Sequence, residues 1–128
     1  MSWTYRFFES KATKDVVSQL INSFNGLSKY QALTAKMGHS DVSNGKARGL
    51  VFYEEHASIK SIPGAPGKPW LSTLKAVSAG SSYETAAEEI CAHLNGLTPE
   101  QASLALFSMS DISGYTCHMG LIYPTSVK

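Results

Sequence analysis

Cysteine is almost missing from this chain: Cys91 and Cys117 are the only two in 128 residues. That is too few for a disulfide framework, so the core has to hold by burial alone. Charge is sparse as well, at 16% of residues, and it nearly cancels, 11 Lys and Arg standing against 10 Asp and Glu for a formal +1. The broad basic field that grips phosphate backbones is therefore lacking, and nucleic acid becomes a minority class of partner. No apolar run approaches the eighteen or so residues of a membrane span. The opening Met-Ser-Trp-Thr-Tyr-Arg also lacks the charged-then-apolar plan of a signal peptide. The expected setting is cytoplasmic, with no membrane partner.

Proline is rare except in one place. Three of the five prolines, with two glycines, fall within residues 61–69, a composition that continues neither helix nor strand. The 43% hydrophobic content suffices for one core. The expected organisation is a single domain, 1–128, built from two repeats, 1–60 and 70–124, joined by the linker 61–69.

The repeats show most plainly from Asn25 to Asn44 against Asn95 to Gly114. In ungapped register at an offset of 70, nine of these twenty positions are identical, where unrelated segments would share about one or two. Charge divides unevenly between the halves. Residues 1–69 carry nine basic and five acidic side chains (+4) and residues 70–128 carry two and five (−3), which restores +1.

Ser2 to Glu9 alternates aromatics like a strand. Val16, Val17, Leu20, Ile21 and Phe24 recur at helical spacing, and Asn25-Gly26 is a helix stop. Ser28 caps a second helix that runs through Met37 to Gly38, and a polar loop, 39–48, leads to a strand at 49–55. At the same offset Ala86, Ala87, Ile90, Cys91 and Leu94 repeat the first helix, with Ser81 and Glu84 as a capping box. Thr98-Pro99-Glu100-Gln101 supplies an N-cap, an N1 proline and an N3 glutamine for the fourth helix. The counterpart of the first strand falls at 73–79, and Gly120-Leu-Ile-Tyr answers Gly49-Leu-Val-Phe one residue out of step. The fold class expected is α+β: internally duplicated β-α-α-β units forming a ferredoxin-like four-stranded antiparallel sheet with helices on one face.

Candidate ligand-binding residues gather at the two equivalent loops, Ser40 and Asp41 in one and Ser110 and Asp111 in the other. Lys46 and Arg48 beside the first loop, and His118 beside the second, offer charge for a small anion. The same Ser and Asp residues also serve turns, and that structural role is preferred. Cys117 and His118 are neighbours on a strand and point to opposite faces, so they form no nucleophile-base pair. Glu89 and His93, at i and i+4, are too few for a metal site. No cofactor or metal is expected, and no catalytic residue is assigned.

Trp3, Tyr5 and Phe7 share one face of the first strand, and an aromatic face left open by the helices would pack against a partner. Leu104 and Leu106 add a second apolar surface. The expectation is a non-enzymatic binding, inhibitor or adaptor protein, homodimeric, acting through protein-protein contacts or by sequestering a small anionic ligand. The alternatives are a small dimeric enzyme with Tyr115, Cys117, His118 or Tyr123 in a pocket between the sheets, and a single-stranded nucleic-acid binder.

Overall fold

The computed structural model describes every residue except 1, 44, 62, 79–81 and 113–115, with the backbone alone for 41–43, 75–78, 111–112 and 116. Along the chain run β1 (Trp3–Ser10), α1 (Thr13–Asn25), α2 (Lys29–Thr34), β2 (Lys36–Ser43), β3 (Lys46–Glu54), a 3₁₀ turn (Ile59–Ser61), β4 (Pro66–Ser78), α3 (Tyr83–Gly96), α4 (Pro99–Leu104), β5 (Leu106–Ile112) and β6 (Thr116–Val127).

The α+β class holds, but the sheet differs from the expected one. In place of four strands in a ferredoxin-like sheet there are two three-stranded antiparallel sheets, ordered β1-β3-β2 and β4-β6-β5. Each half is β-α-α-β-β. The extra strands, β2 and β5, occupy stretches expected to be helix ends and loops. In them Met37 and His39, or Phe107 and Met109, alternate with Lys36, Gly38 and Ser40, or Leu106, Ser108 and Ser110, a period of two rather than 3.6. The short helices before them end where Ala35 and Ala105 turn extended, with ψ of 153° and 145°.

Helix starts follow local chemistry. Ser28 with Gln31 and Thr98 with Gln101 form complete capping boxes. Each of these glutamines also reaches the end of its own unit's last strand: Gln31 Nε2 donates to the Glu55 carbonyl, and Gln101 Nε2 to those of Pro124 and Thr125. Ser82 caps α3 by accepting from the Thr85 amide, and Ser81, the expected start of a capping box, lies outside the described residues. Of the expected linker, residues 66–69 belong to β4. This is an edge strand, bulged between Gly67 and Trp70, where proline's missing donor is tolerated.

The registers of the two sheets correspond. Lys36 lies opposite Phe52 and Leu106 opposite Ile122, so β2 and β3 map onto β5 and β6 at an offset of 70. Leu50 therefore corresponds to Gly120, without the one-residue slip read from the sequence. Trp3 lies opposite Glu54 and Trp70 opposite Pro124, so the first strands map at an offset of 67, and Trp3 corresponds to Trp70 rather than to Thr73. The second unit carries three more residues than the first between Val77, the counterpart of Ser10, and Tyr83, the counterpart of Thr13.

Each long helix packs on its own sheet. In the first unit Val16 and Leu20 of α1 sit on Ala47, Gly49 and Val51. A β-carbon on Gly49 would come within 2.6 Å of Val16 Cγ1, so glycine sets the close approach of α1. In the second unit Cys117, Met119 and Leu121 take those places, with Met119 where Gly49 stands. The other side of α3 is covered by the opposite face of the first sheet. Trp3, Tyr5, Phe7, Leu50 and Phe52 join Ala87, Ile90, Cys91 and Leu94 in the main core. The layers thus run: sheet of unit two, α3, sheet of unit one, α1.

Candidate functional site

This layering leaves two terminal surfaces. One is the face of the second sheet turned away from α3, where Trp70, Leu74, Leu106 and Ile122 are 38%, 62%, 57% and 44% exposed. A depression of about 370 Å³ runs across it between Ser72, Leu74, Leu106, Ser108, Gly120 and Ile122. The other is the outer side of α1, where Val17, Ile21, Phe24, Asn25, Met37 and His39 line a groove of about 320 Å³. Isolated exposed apolar side chains are ordinary, but clusters of four or five on one face mark contact surfaces.

Trp3, Tyr5 and Phe7, expected on an open face, lie instead under α3. Trp3 is buried, Phe7 stacks on Tyr83 with ring centroids 6.0 Å apart, and the Tyr5 hydroxyl donates to Glu84 and Glu88. Burial, reinforced by those carboxylates, pushes the Tyr5 phenol up to about 12. The aromatic alternation was legible in the sequence. The identity of its cover was not, because the cover comes from the other repeat. Leu106 does lie on an open face, while Leu104 is half-buried.

The residues expected at an anion site are divided between two faces. Arg48 and Ser40 lie opposite each other on the α3 side of the first sheet. Arg48 Nε and Lys46 Nζ both donate to the Glu9 carboxylate, at 2.9 and 3.2 Å, and the Arg48 guanidinium lies 4.5 Å from the centre of the Tyr83 ring. Burial raises the Glu9 pKa, but the two hydrogen-bonded cations outweigh it and hold the carboxyl below its usual range. Both cations are thereby engaged within the chain. His118 and Ser110 lie opposite each other on the uncovered face of the second sheet. The side chains of Asp41 and Asp111, and Tyr115 altogether, lie outside the described residues.

Cys117 is fully buried towards α3 while His118 takes the other face, and Tyr123 is half-buried with its ring against His93. Cys91 is buried where Ile21 stands in the first unit, and burial, with Glu88 nearby, pushes its thiol up to about 12. Among the described residues no three His, Cys, Asp or Glu side chains converge as metal ligands. Among the described residues an unusual cation, absent from the expected ligand-binding set, is Lys36. It is buried between the units with its ammonium 4.8 Å from the Trp3 ring centre, donating to the Thr34 and Ser103 carbonyls. Burial lowers its pKa to about 7. Its counterpart in the second unit is Leu106, and the stacking of the units accounts for the lysine.

Comparisons with protein-family models, curated proteins and solved structures find no match to this chain. Among the described residues no helix is long and apolar enough to cross a membrane.

Proposed function

We propose that this chain is a binding protein that acts through protein-protein contacts, with the uncovered face of the second sheet as its principal contact surface. The observation that carries this reading is the exposure together, on one sheet face, of Trp70, Leu74, Leu106 and Ile122. Trp and other large apolar side chains at the centre of a face are the groups that dominate binding energy once covered. Ser72, Ser108 and Gly120 between them keep the face low and give a partner room to enter. The candidate anion residues support the reading less well, since Lys46 and Arg48 are already paired with Glu9.

The test is native mass spectrometry of the protein isolated from its own host cells, wild type beside a Leu74→Arg, Ile122→Arg double variant. The wild type is expected to carry itself or another chain, and the variant to emerge bare. A wild type that is bare, or a variant that keeps the same partner, removes the face from consideration.

A further inference from the structure

Resting on that reading, we infer that the occupant of the open sheet face is the α1 groove of a second copy of this chain, joined head to tail. The molecule already contains this joint once. Inside the chain, the first unit's sheet grips the outer side of the second unit's α3. By the register correspondence, the gripping residues Trp3, Tyr5, Phe7, Gly38, Leu50 and Phe52 become Trp70, Ser72, Leu74, Ser108, Gly120 and Ile122 on the uncovered face. The gripped residues Ala87, Cys91, Leu94, Asn95, Phe107 and Met109 become Val17, Ile21, Phe24, Asn25, Met37 and His39, the residues of the α1 groove. Both halves of an observed interface are thus left open, one at each end of the same chain.

At three positions on each side of the joint, side-chain sizes have changed in opposite directions. On the sheet side the internal joint uses Tyr5, Leu50 and Phe52 where the open face has Ser72, Gly120 and Ile122. On the helix side it uses Ala87, Cys91 and Leu94 where the open groove has Val17, Ile21 and Phe24. Large sheet residues meet small helix residues inside the chain; small sheet residues face solvent at one end and large helix residues at the other. Close packing demands that compensation if the two ends meet each other, and nothing requires it if they do not.

Charge selects the same pairing. Head-to-tail contact sets a +4 half against a −3 half, whereas sheet-to-sheet contact between two copies sets −3 against −3. A heterologous joint of this kind repeats until it closes into a ring or continues as a filament.

The experiment uses purified full-length chain. Sedimentation velocity of the wild type is expected to show species larger than a dimer, more so at low salt. Ile21→Glu and Ile122→Glu, each with wild-type circular dichroism, are expected to sediment as monomers alone and as a 1:1 dimer when mixed. In the mixture one intact sheet face meets one intact groove, and both remaining ends are blocked. Phe52 and Phe107 touch within the chain at 4.7 Å between ring centroids, and their counterparts are Ile122 and Met37. Mild oxidation of a Met37→Cys and Ile122→Cys mixture is therefore expected to give the mixed disulfide dimer, and neither variant alone any dimer. This second readout stands even where a glutamate variant fails to fold. A disulfide-linked dimer formed by the Ile122→Cys variant alone, or unchanged assembly of Ile21→Glu, overturns the inference in favour of a face-to-face dimer and leaves the contact face standing. A wild type that stays monomeric at all concentrations overturns it too, and the host-cell measurement then decides separately whether a different chain takes the face.

Discussion

Trp3 and Trp70 hold the same place in their two sheets, opposite Glu54 and Pro124, yet Trp3 is 4% exposed and Trp70 38%. One is sealed beneath α3 and the other lies on the uncovered face of the second sheet. Trp3→Ala is expected to cost about 3–5 kcal/mol, as emptying a core aromatic site does. Trp70→Ala is expected to cost about 1 kcal/mol or less in the isolated chain. Urea midpoints of the two variants at equal slope provide the comparison, and equal losses would contradict the assignment of inner and outer faces.

The distance between α1 and its sheet depends on Gly49. A methyl group there meets Val16 Cγ1 at 2.6 Å and Leu20 Cδ1 at 3.2 Å, both on buried side chains with little room to withdraw. Gly49→Ala is expected to destabilise the chain by about 1–3 kcal/mol through overpacking, despite alanine's better strand fit. Thermal unfolding reads this as a lower Tm, and an unchanged or raised Tm would mean that α1 moves away at no cost.

Lys36 makes stability depend on pH in a defined direction. Burial lowers its pKa to about 7 against 10.5 in the unfolded chain, so between these values the unfolded state binds the extra proton and stability rises with pH. Between pH 7 and pH 9 the gain reaches roughly 2–3 kcal/mol, reduced by the Trp3 ring face, which favours the charged ammonium. Above pH 9 the raised thiol of Cys91 acts the other way: it stays protonated in the folded state while the unfolded thiol ionises. Denaturation midpoints measured from pH 7 to 9 are expected to climb in the wild type and to lie flat in Lys36→Met.

Local features were the legible part of this sequence. The capping boxes at Ser28 and Thr98, the stripe from Ala86 to Leu94 and the opposed faces of Cys117 and His118 all follow from spacing within a few residues. The repeat itself was legible at 25–44 and 95–114, but it was misaligned at the first strand, because three additional residues before α3 change the offset from 70 to 67. The strands β2 and β5 were hidden because Gly38 resembles a helix stop and the alternation of Met37 and His39 is brief. Sequence pattern identified Trp3, Tyr5 and Phe7 as one apolar face and had no means of showing that α3 covers it. What buries a face is a question of how the units stack, and no period of two or 3.6 encodes that.

Asn95 and Asn25 stand at equivalent positions near the ends of their helices, and Asn95 has a hydrogen-bond partner within the chain. The Asn95 Oδ1 accepts the Trp3 backbone N–H at 2.8 Å, tying the end of α3 to the first residue of β1. Asn25 stands exposed at the rim of the α1 groove. Removing the acceptor from a partly buried amide costs about 1–2 kcal/mol, so Asn95→Ala is expected to lower stability by that amount whatever the assembly state. Asn25→Ala is expected to leave the stability of the isolated chain within about 0.5 kcal/mol of wild type. If a second copy brings Trp70 to Asn25 as Trp3 is brought to Asn95, the same variant weakens association by about tenfold, the factor carried by one such hydrogen bond. Sedimentation and urea unfolding on the two variants separate these effects, since an Asn25→Ala chain that loses stability yet assembles like wild type would show that the two asparagines are not equivalent.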